Sequence, residues 1–155
     1  MEEIITHIVF PGAAILGAGI GGAITIYIYY RNSQLQRAQW LYFLFEKFFF
    51  QSRYSEMRQI LDYADEQEIE RLRASIPIHA DQQLEEKLVD YLNFFEFIAS
   101  LWQLRQLPMR EIRMMFDYYI RRLGDHDFVM KYLEDEGFEG LADLVVQVKK
   151  LRETE

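Results

Sequence analysis

The sequence predicts an all-α protein in which one N-terminal transmembrane helix continues as a long helix into a compact cytoplasmic helical domain. Three observations predict it. Residues Ile8 to Tyr30 run for 23 positions without a charge, and Arg31 follows at once. No proline or glycine occurs between Ala23 and Ser75 to break a helix. Further on, apolar residues recur at spacings of three and four, while the alternation of a strand is nearly absent. The expected organisation is a membrane segment over 1–31 and a single all-α domain over 32–155.

The first element is long enough for a bilayer, since a spanning helix needs roughly 20 apolar residues rising about 1.5 Å each. Its small residues fall into two adjacent ladders spaced by four: Ala13, Gly17 and Gly21, and Ala14, Ala18 and Gly22. Small residues let helix backbones approach closely in lipid, so this stripe is the expected contact for self-association. Orientation follows from charge. Glu2 and Glu3 precede the run and Arg31, Arg37 and Lys47 follow it, which places the N-terminus outside and the domain in the cytoplasm. Arg31 and Arg37 are the expected membrane anchors, and Tyr27, Tyr29 and Tyr30 suit the aromatic belt of the interface. A cleaved signal peptide would need a basic start and a shorter apolar core.

Gly17, Gly19 and Gly22 also spell G-x-G-x-x-G. A dinucleotide site would require those glycines between a strand and a helix, with an acidic residue about 20 positions on. Residues Gln36 to Phe45 contain no carboxylate, so no cofactor is expected.

The elements after the span follow in order. The membrane helix is expected to continue through Trp40, Leu41, Leu44, Phe45 and Phe48. Ser52 is placed to cap a helix over Arg53 to Tyr63, and the charged segment EQEIERLR comes next. Pro77 interrupts, and Asp81 is a cap for a helix through Leu104. Pro108 suits the first turn of a helix that Gly124 closes; DFVMKYLEDE ends at Gly137, and a last helix covers Leu141 to Leu151. The apolar series Leu84, Leu88, Tyr91, Leu92, Phe95, Ile98, Ala99, Trp102 and Ile112, Met115, Phe116, Tyr119, Ile120, Leu123 predict a central antiparallel helix pair. The aromatic residues are read as core.

Composition excludes several chemistries. There are 17 basic and 25 acidic residues; without Glu2 and Glu3, 23 acidic residues face the same 17, a net of −6. A domain of that sign is a poor nucleic-acid binder. No cysteine is present, which removes disulfides, thiolate metal sites and a Cys nucleophile. His7 and His79 lack metal-ligand partners at useful spacing, so no metal is expected. Glu96, between Phe95 and Phe97, would be costly to bury alone, and Arg113 or Arg121 is its expected ion-pair partner.

One constellation suggests catalysis. Arg121 and His126 are spaced R-x-x-x-x-H, which is similar to the active-site pattern of the metal-independent HEPN ribonucleases. That resemblance implies two protomers whose motifs meet, with Arg121 stabilising phosphate charge and His126 transferring protons. The chain departs from the pattern at Arg122, where a small polar residue is usual, and Gly124 puts His126 past a helix end. The competing reading is a helix terminus, with Arg121 and Arg122 complementing the dipole and Asp125 starting the next helix.

A wider resemblance covers residues 31 to about 135. The segments RAQWLYFLFEKFFFQSRYSEMRQILDY and LVDYLNFFEFIASLWQL look like a family of small uncharacterised bacterial proteins with one N-terminal membrane helix and a helical domain. The combination of a single span with R-x-x-x-x-H resembles, in layout, the membrane-pore accessory proteins of type VI-B CRISPR loci, which assemble as rings. The leading expectation is therefore a non-enzymatic protein of the bacterial inner membrane that associates with itself and with lipid, as a ring or pore-type assembly. The alternatives are a HEPN-like ribonuclease using Arg121 and His126, and a membrane-tethered adaptor for a cytoplasmic protein.

Overall fold

The computed structural model describes the backbone of residues 2–63, 66–76 and 81–153, and the side chains among these from residue 21 on, except at 23 and 63. These residues form helices without a strand. In order they are α1 (Glu2–Phe50), a 3-10 turn (Ser52–Tyr54), α2 (Ser55–Tyr63), α3 (Glu66–Ser75), α4 (Gln82–Gln103), α5 (Met109–Gly124), α6 (Asp127–Asp135) and α7 (Glu139–Glu153). Packing divides the chain into two units, Met1–Leu44 and Phe45–Glu155. The helix α1 passes residue 31 without interruption, so no change of backbone marks the end of the uncharged run.

Among the described residues no helix is long and apolar enough to cross a membrane. The expected span lies largely beyond that statement, because the side chains of residues 8–20 are outside the described set. The same holds for Ala13, Ala14, Gly17 and Ala18 of the small-residue ladders. Gly21 and Gly22 are described, and both open onto free space, with nothing within 4 Å of a built Cβ.

In the second unit the core forms around Phe48, which is fully buried. Its ring centroid lies 4.8 Å from Tyr119, 5.0 Å from Phe94, 5.3 Å from Phe95, 5.6 Å from Phe116 and 5.7 Å from Tyr91. Edge-to-face and offset pairs of this kind each add about 0.5–1.5 kcal/mol beyond the area they bury. The run Phe48, Phe49, Phe50 therefore divides by helix geometry: the first ring is core, the second half-buried and the third exposed.

The expected central pair of α4 and α5 is corrected. Both helices pack most extensively on α7, and only lightly on each other. Leu141, Leu144, Val145 and Val148 of α7 are buried between them. Short aliphatic side chains permit this, since a narrow helix can sit closer to two neighbours than an aromatic-rich one. Trp102, Met115 and Tyr119, expected as core, are half-buried at the margins.

Helix ends follow local chemistry. Asp81 Oδ1 accepts the Leu84 N–H at 3.2 Å, as an N-cap should. Gly137 adopts φ +80°, and the Phe138 N–H reaches back to the Leu133 carbonyl at 2.9 Å, which closes α6 in a Schellman turn. Arg105 performs the same turn after α4 at φ 57°, a conformation that costs a residue with a Cβ. Four expectations change in detail. Pro108 is the N-cap of α5 rather than its first residue, and its carbonyl accepts from Glu111 and Ile112. Ser52 opens a 3-10 turn, while α2 starts at Ser55, whose hydroxyl donates to the Ser52 carbonyl at 2.7 Å. Gly124 is the last residue of α5 and no left-handed cap; a Cβ there would stand 2.5 Å from Val145 Cγ1, so its lack of a side chain lets α7 approach. The last helix extends to Glu139–Glu153.

Candidate functional site

Arg121 and His126 are given different partners. Arg121 Nε donates to Asp117 Oδ2 at 2.8 Å, one turn back on α5, and Arg113 Nε reaches Asp117 Oδ1 at 3.3 Å from the other side. Asp117 is thus held between two arginines at i−4 and i+4, with all three side chains about three-quarters buried. His126 Nε2 instead lies 3.4 Å from the Leu61 carbonyl of α2, a long contact. Arg122 joins it there, donating Nε to the same oxygen at 2.9 Å. Neighbouring helical residues diverge by about 100°, which is why Arg121 and Arg122 serve separate clusters.

The Leu61 carbonyl lies in the last turn of the described part of α2. Arg122 and His126 thus meet a backbone oxygen of α2, while Arg121 and Arg122 both stand in the last turn of α5, where cations complement its dipole. The expected place of Arg121 and Arg122 in the last turn of α5 is as the sequence suggested, and the contact of Arg122 with α2 is additional. Asp125 does not start α6; it is the C-cap of α5 and pairs with Lys149 at 3.4 Å, leaving His126 at the N-cap position without a side-chain cap bond.

Around that oxygen the structure gathers a polar cluster that sequence reasoning missed. Asp62 of α2 sits beside Arg58, Arg122, His126 and Tyr118, whose hydroxyl bonds its carboxyl. Burial pushes the Asp62 carboxyl above its ordinary 3.8, against the opposing pull of Arg122, Arg58, Tyr118 and His126. Its Oδ1 is buried without a hydrogen-bond partner. Arg58 stacks over the Phe48 and Phe49 rings at 5.0 and 5.3 Å and donates to the Phe49 carbonyl at 3.3 Å. Tyr91 is buried next to this cluster, and burial, with Asp62 second, drives its phenol well above 10. The four-residue spacing of Arg58 and Asp62 on one helix face was the available signal.

Glu96 is a second departure. Its Oε2 accepts the Leu141 N–H at 2.6 Å in the first turn of α7, so its partner is a helix N-terminus, where the sequence had suggested Arg113 or Arg121. Gly140 makes room for it: a Cβ there would lie 2.5 Å from Glu96 Oε1. The carboxylate works as an N-cap supplied by another helix.

Arg31 is exposed, whereas Arg37 is half-buried with Nε lacking a hydrogen-bond partner. Tyr132 of α6 has its phenol pushed up to about 12, by burial first and then by Glu85 and Glu136. Among the described residues no group of three or more His, Asp or Glu side chains converges as metal ligands would. No known protein family matches the chain, and no curated protein or solved structure matches it.

Proposed function

We propose that this chain is a membrane-anchored helical scaffold that associates with itself, with Ile8–Tyr30 in the bilayer of a bacterial inner membrane and the all-α domain in the cytoplasm. The observation that carries the reading is the surface of α1 before Arg31. Ile24, Ile26, Tyr27, Ile28, Tyr29 and Tyr30 are all exposed, and over two turns they point to every side of the helix. A helix that is apolar all round needs apolar cover on all sides. Each such side chain left in water forgoes about 1.5–3 kcal/mol. Lipid supplies that cover, and the uncharged run that continues back to Ile8 has the length to cross it.

The polar flank supports one orientation. Arg31 is exposed at the end of the run, where its long side chain can reach lipid phosphate, and Lys47 and the domain follow on the same side. The resemblance to small bacterial anchored proteins points the same way. The ribonuclease alternative loses support because Arg121 is occupied by Asp117, away from His126.

Fractionation tests the reading. The full chain should sediment with membranes and require detergent for release, and the domain in sealed inner-membrane vesicles should be cut by protease only when it faces the added enzyme. Recovery in the soluble fraction without detergent would refute the anchor. Protection of the domain in right-side-out vesicles is expected; cleavage there would refute the orientation.

A further inference from the structure

We propose that one stripe of α1, formed by Ile24, Ile28, Arg31, Leu35, Ala38 and Tyr42, is a parallel coiled-coil seam occupied by a second copy of this chain. The inference rests on the anchored reading above and names its partner surface. These positions are spaced 4-3-4-3-4, the a/d repeat that brings one line of a helix against a partner. Ile24, Ile28, Leu35 and Tyr42 are 53%, 51%, 54% and 67% exposed. An unsupercoiled helix drifts about 20° per heptad from such a repeat, so a partner that follows all six positions would have to coil around α1.

The occupant follows from position and charge. Tyr42 lies 12 residues beyond Tyr30, about 18 Å along the helix, whereas the headgroup layer is about 5–8 Å deep on each side. Lipid therefore does not reach Tyr42, so the apolar cover for that end of the seam would come from protein. The residues flanking the seam are Thr25, Asn32 and Gln39 on one side and Tyr27, Gln34 and Leu41 on the other, none of them charged. Flanking charges select a different partner or repel an identical one; their absence suits a copy of the same chain. Single-span chains inserted in one direction lie parallel, which sets identical residues level. Arg31 falls at headgroup height, where its side chain turns to phosphate rather than to its counterpart. Followed backward, the same phase meets Gly21, Gly17 and Ala14, so the ladder expected to mediate contact in lipid continues this seam.

The chain contains no cysteine, which makes the test clean. Six single variants of the full chain are oxidised in the fraction that holds them: Leu35→Cys, Ala38→Cys and Tyr42→Cys on the seam, and Gln36→Cys, Trp40→Cys and Phe43→Cys off it. The seam variants should give several-fold more disulfide-linked dimer on a non-reducing gel. Equal cross-linking at all six, or more at the off-seam positions, overturns the seam. Fractionation before oxidation reports on the anchor separately. Membrane protein with a flat profile keeps the anchor and refutes the seam, and soluble protein with a seam profile does the reverse.

Discussion

Replacing Glu96 and Gly140 singly and together tests whether α7 is held in place by a carboxylate from α4. The Glu96 Oε2 to Leu141 N distance is 2.6 Å, a charge-assisted bond at a helix N-terminus. Bonds of that class contribute about 1.5–3 kcal/mol, and a carboxylate near the positive end of a helix dipole adds about 0.3–1 kcal/mol. Glu96→Ala removes both and should cost about 2–3 kcal/mol, while Glu96→Gln, which keeps an acceptor, should cost about 1 kcal/mol. Gly140→Ala places a methyl 2.5 Å from Glu96 Oε1 and 3.2 Å from Cδ. The carboxylate can swing aside, but only by giving up the Leu141 N–H. That loss outweighs the gain of at most about 1 kcal/mol from exchanging glycine for alanine in a helix, for a net cost of about 1–1.5 kcal/mol. With Glu96→Ala already present the clash is gone, and Gly140→Ala should stabilise by about 0.5–1 kcal/mol. The sign reversal corresponds to a coupling of about 2 kcal/mol, readable by urea unfolding of the full chain in detergent followed by near-UV circular dichroism. An effect of Gly140→Ala that is the same in both backgrounds within about 0.5 kcal/mol would refute the reasoning.

Gly124→Ala should destabilise by about 1–3 kcal/mol in thermal unfolding, because the methyl meets buried Val145 Cγ1 at 2.5 Å and Lys149 Cε at 2.7 Å; a stabilised variant would mean that α7 can retreat from α5. Asp62 holds its proton to higher pH in the folded chain than its ordinary 3.8, so the stability it contributes is complete below that value and falls as pH rises through the raised one. Asp62→Asn should remove this slope, gaining on the parent as pH rises from acid to neutral in unfolding titrations; parallel curves would disprove it. His126→Ala should leave RNA uncut and the fold intact, whereas Arg122→Ala, which strips the Leu61 carbonyl of its 2.9 Å donor, should cost about 1–2 kcal/mol. An RNA cleavage activity that disappears with His126→Ala would restore the ribonuclease reading.

Where a structural feature depends on a few adjacent residues, the sequence was sufficient to locate it. Asp81 accepts the N–H three residues on with one carboxylate oxygen, as an aspartate before a helical run can, while the other oxygen accepts from Arg71 at 3.3 Å. Gly137 takes a positive φ after DFVMKYLEDE for the same kind of local reason. The uninterrupted α1 was likewise legible, since nothing between Ala23 and Phe50 opposes a helix. Glycine 124 shows the limit. Its place at the end of α5 matches the usual signal, yet its reason lies 21 residues downstream in Val145, where no local pattern points.

Features that depend on which helices meet were not legible, and the R-x-x-x-x-H segment shows why. Gly124 showed that α5 ends between Arg121 and His126, but nothing in the segment says that a carbonyl of α2 waits beside Arg122. Once α2 packs there, its Leu61 carbonyl accepts from Arg122, and His126 Nε2 comes within 3.4 Å of the same oxygen. Asp62 is then enclosed by the same contact, with the Tyr118 hydroxyl on its carboxyl and the Arg58 charge nearby. Arg121, rotated away on the helix, is left to Asp117. Glu96 follows the same logic: a carboxylate among aromatic residues had to be satisfied, but its partner was fixed by α7, whose short aliphatic face gave little sign that it would be the helix on which α4 and α5 both pack. In both places a polar side chain that looked like half of an ion pair or a catalytic pair is spent on a backbone group of another helix, because a side chain of that kind is costly to bury without a partner and the packing of helices decides which backbone group comes within reach.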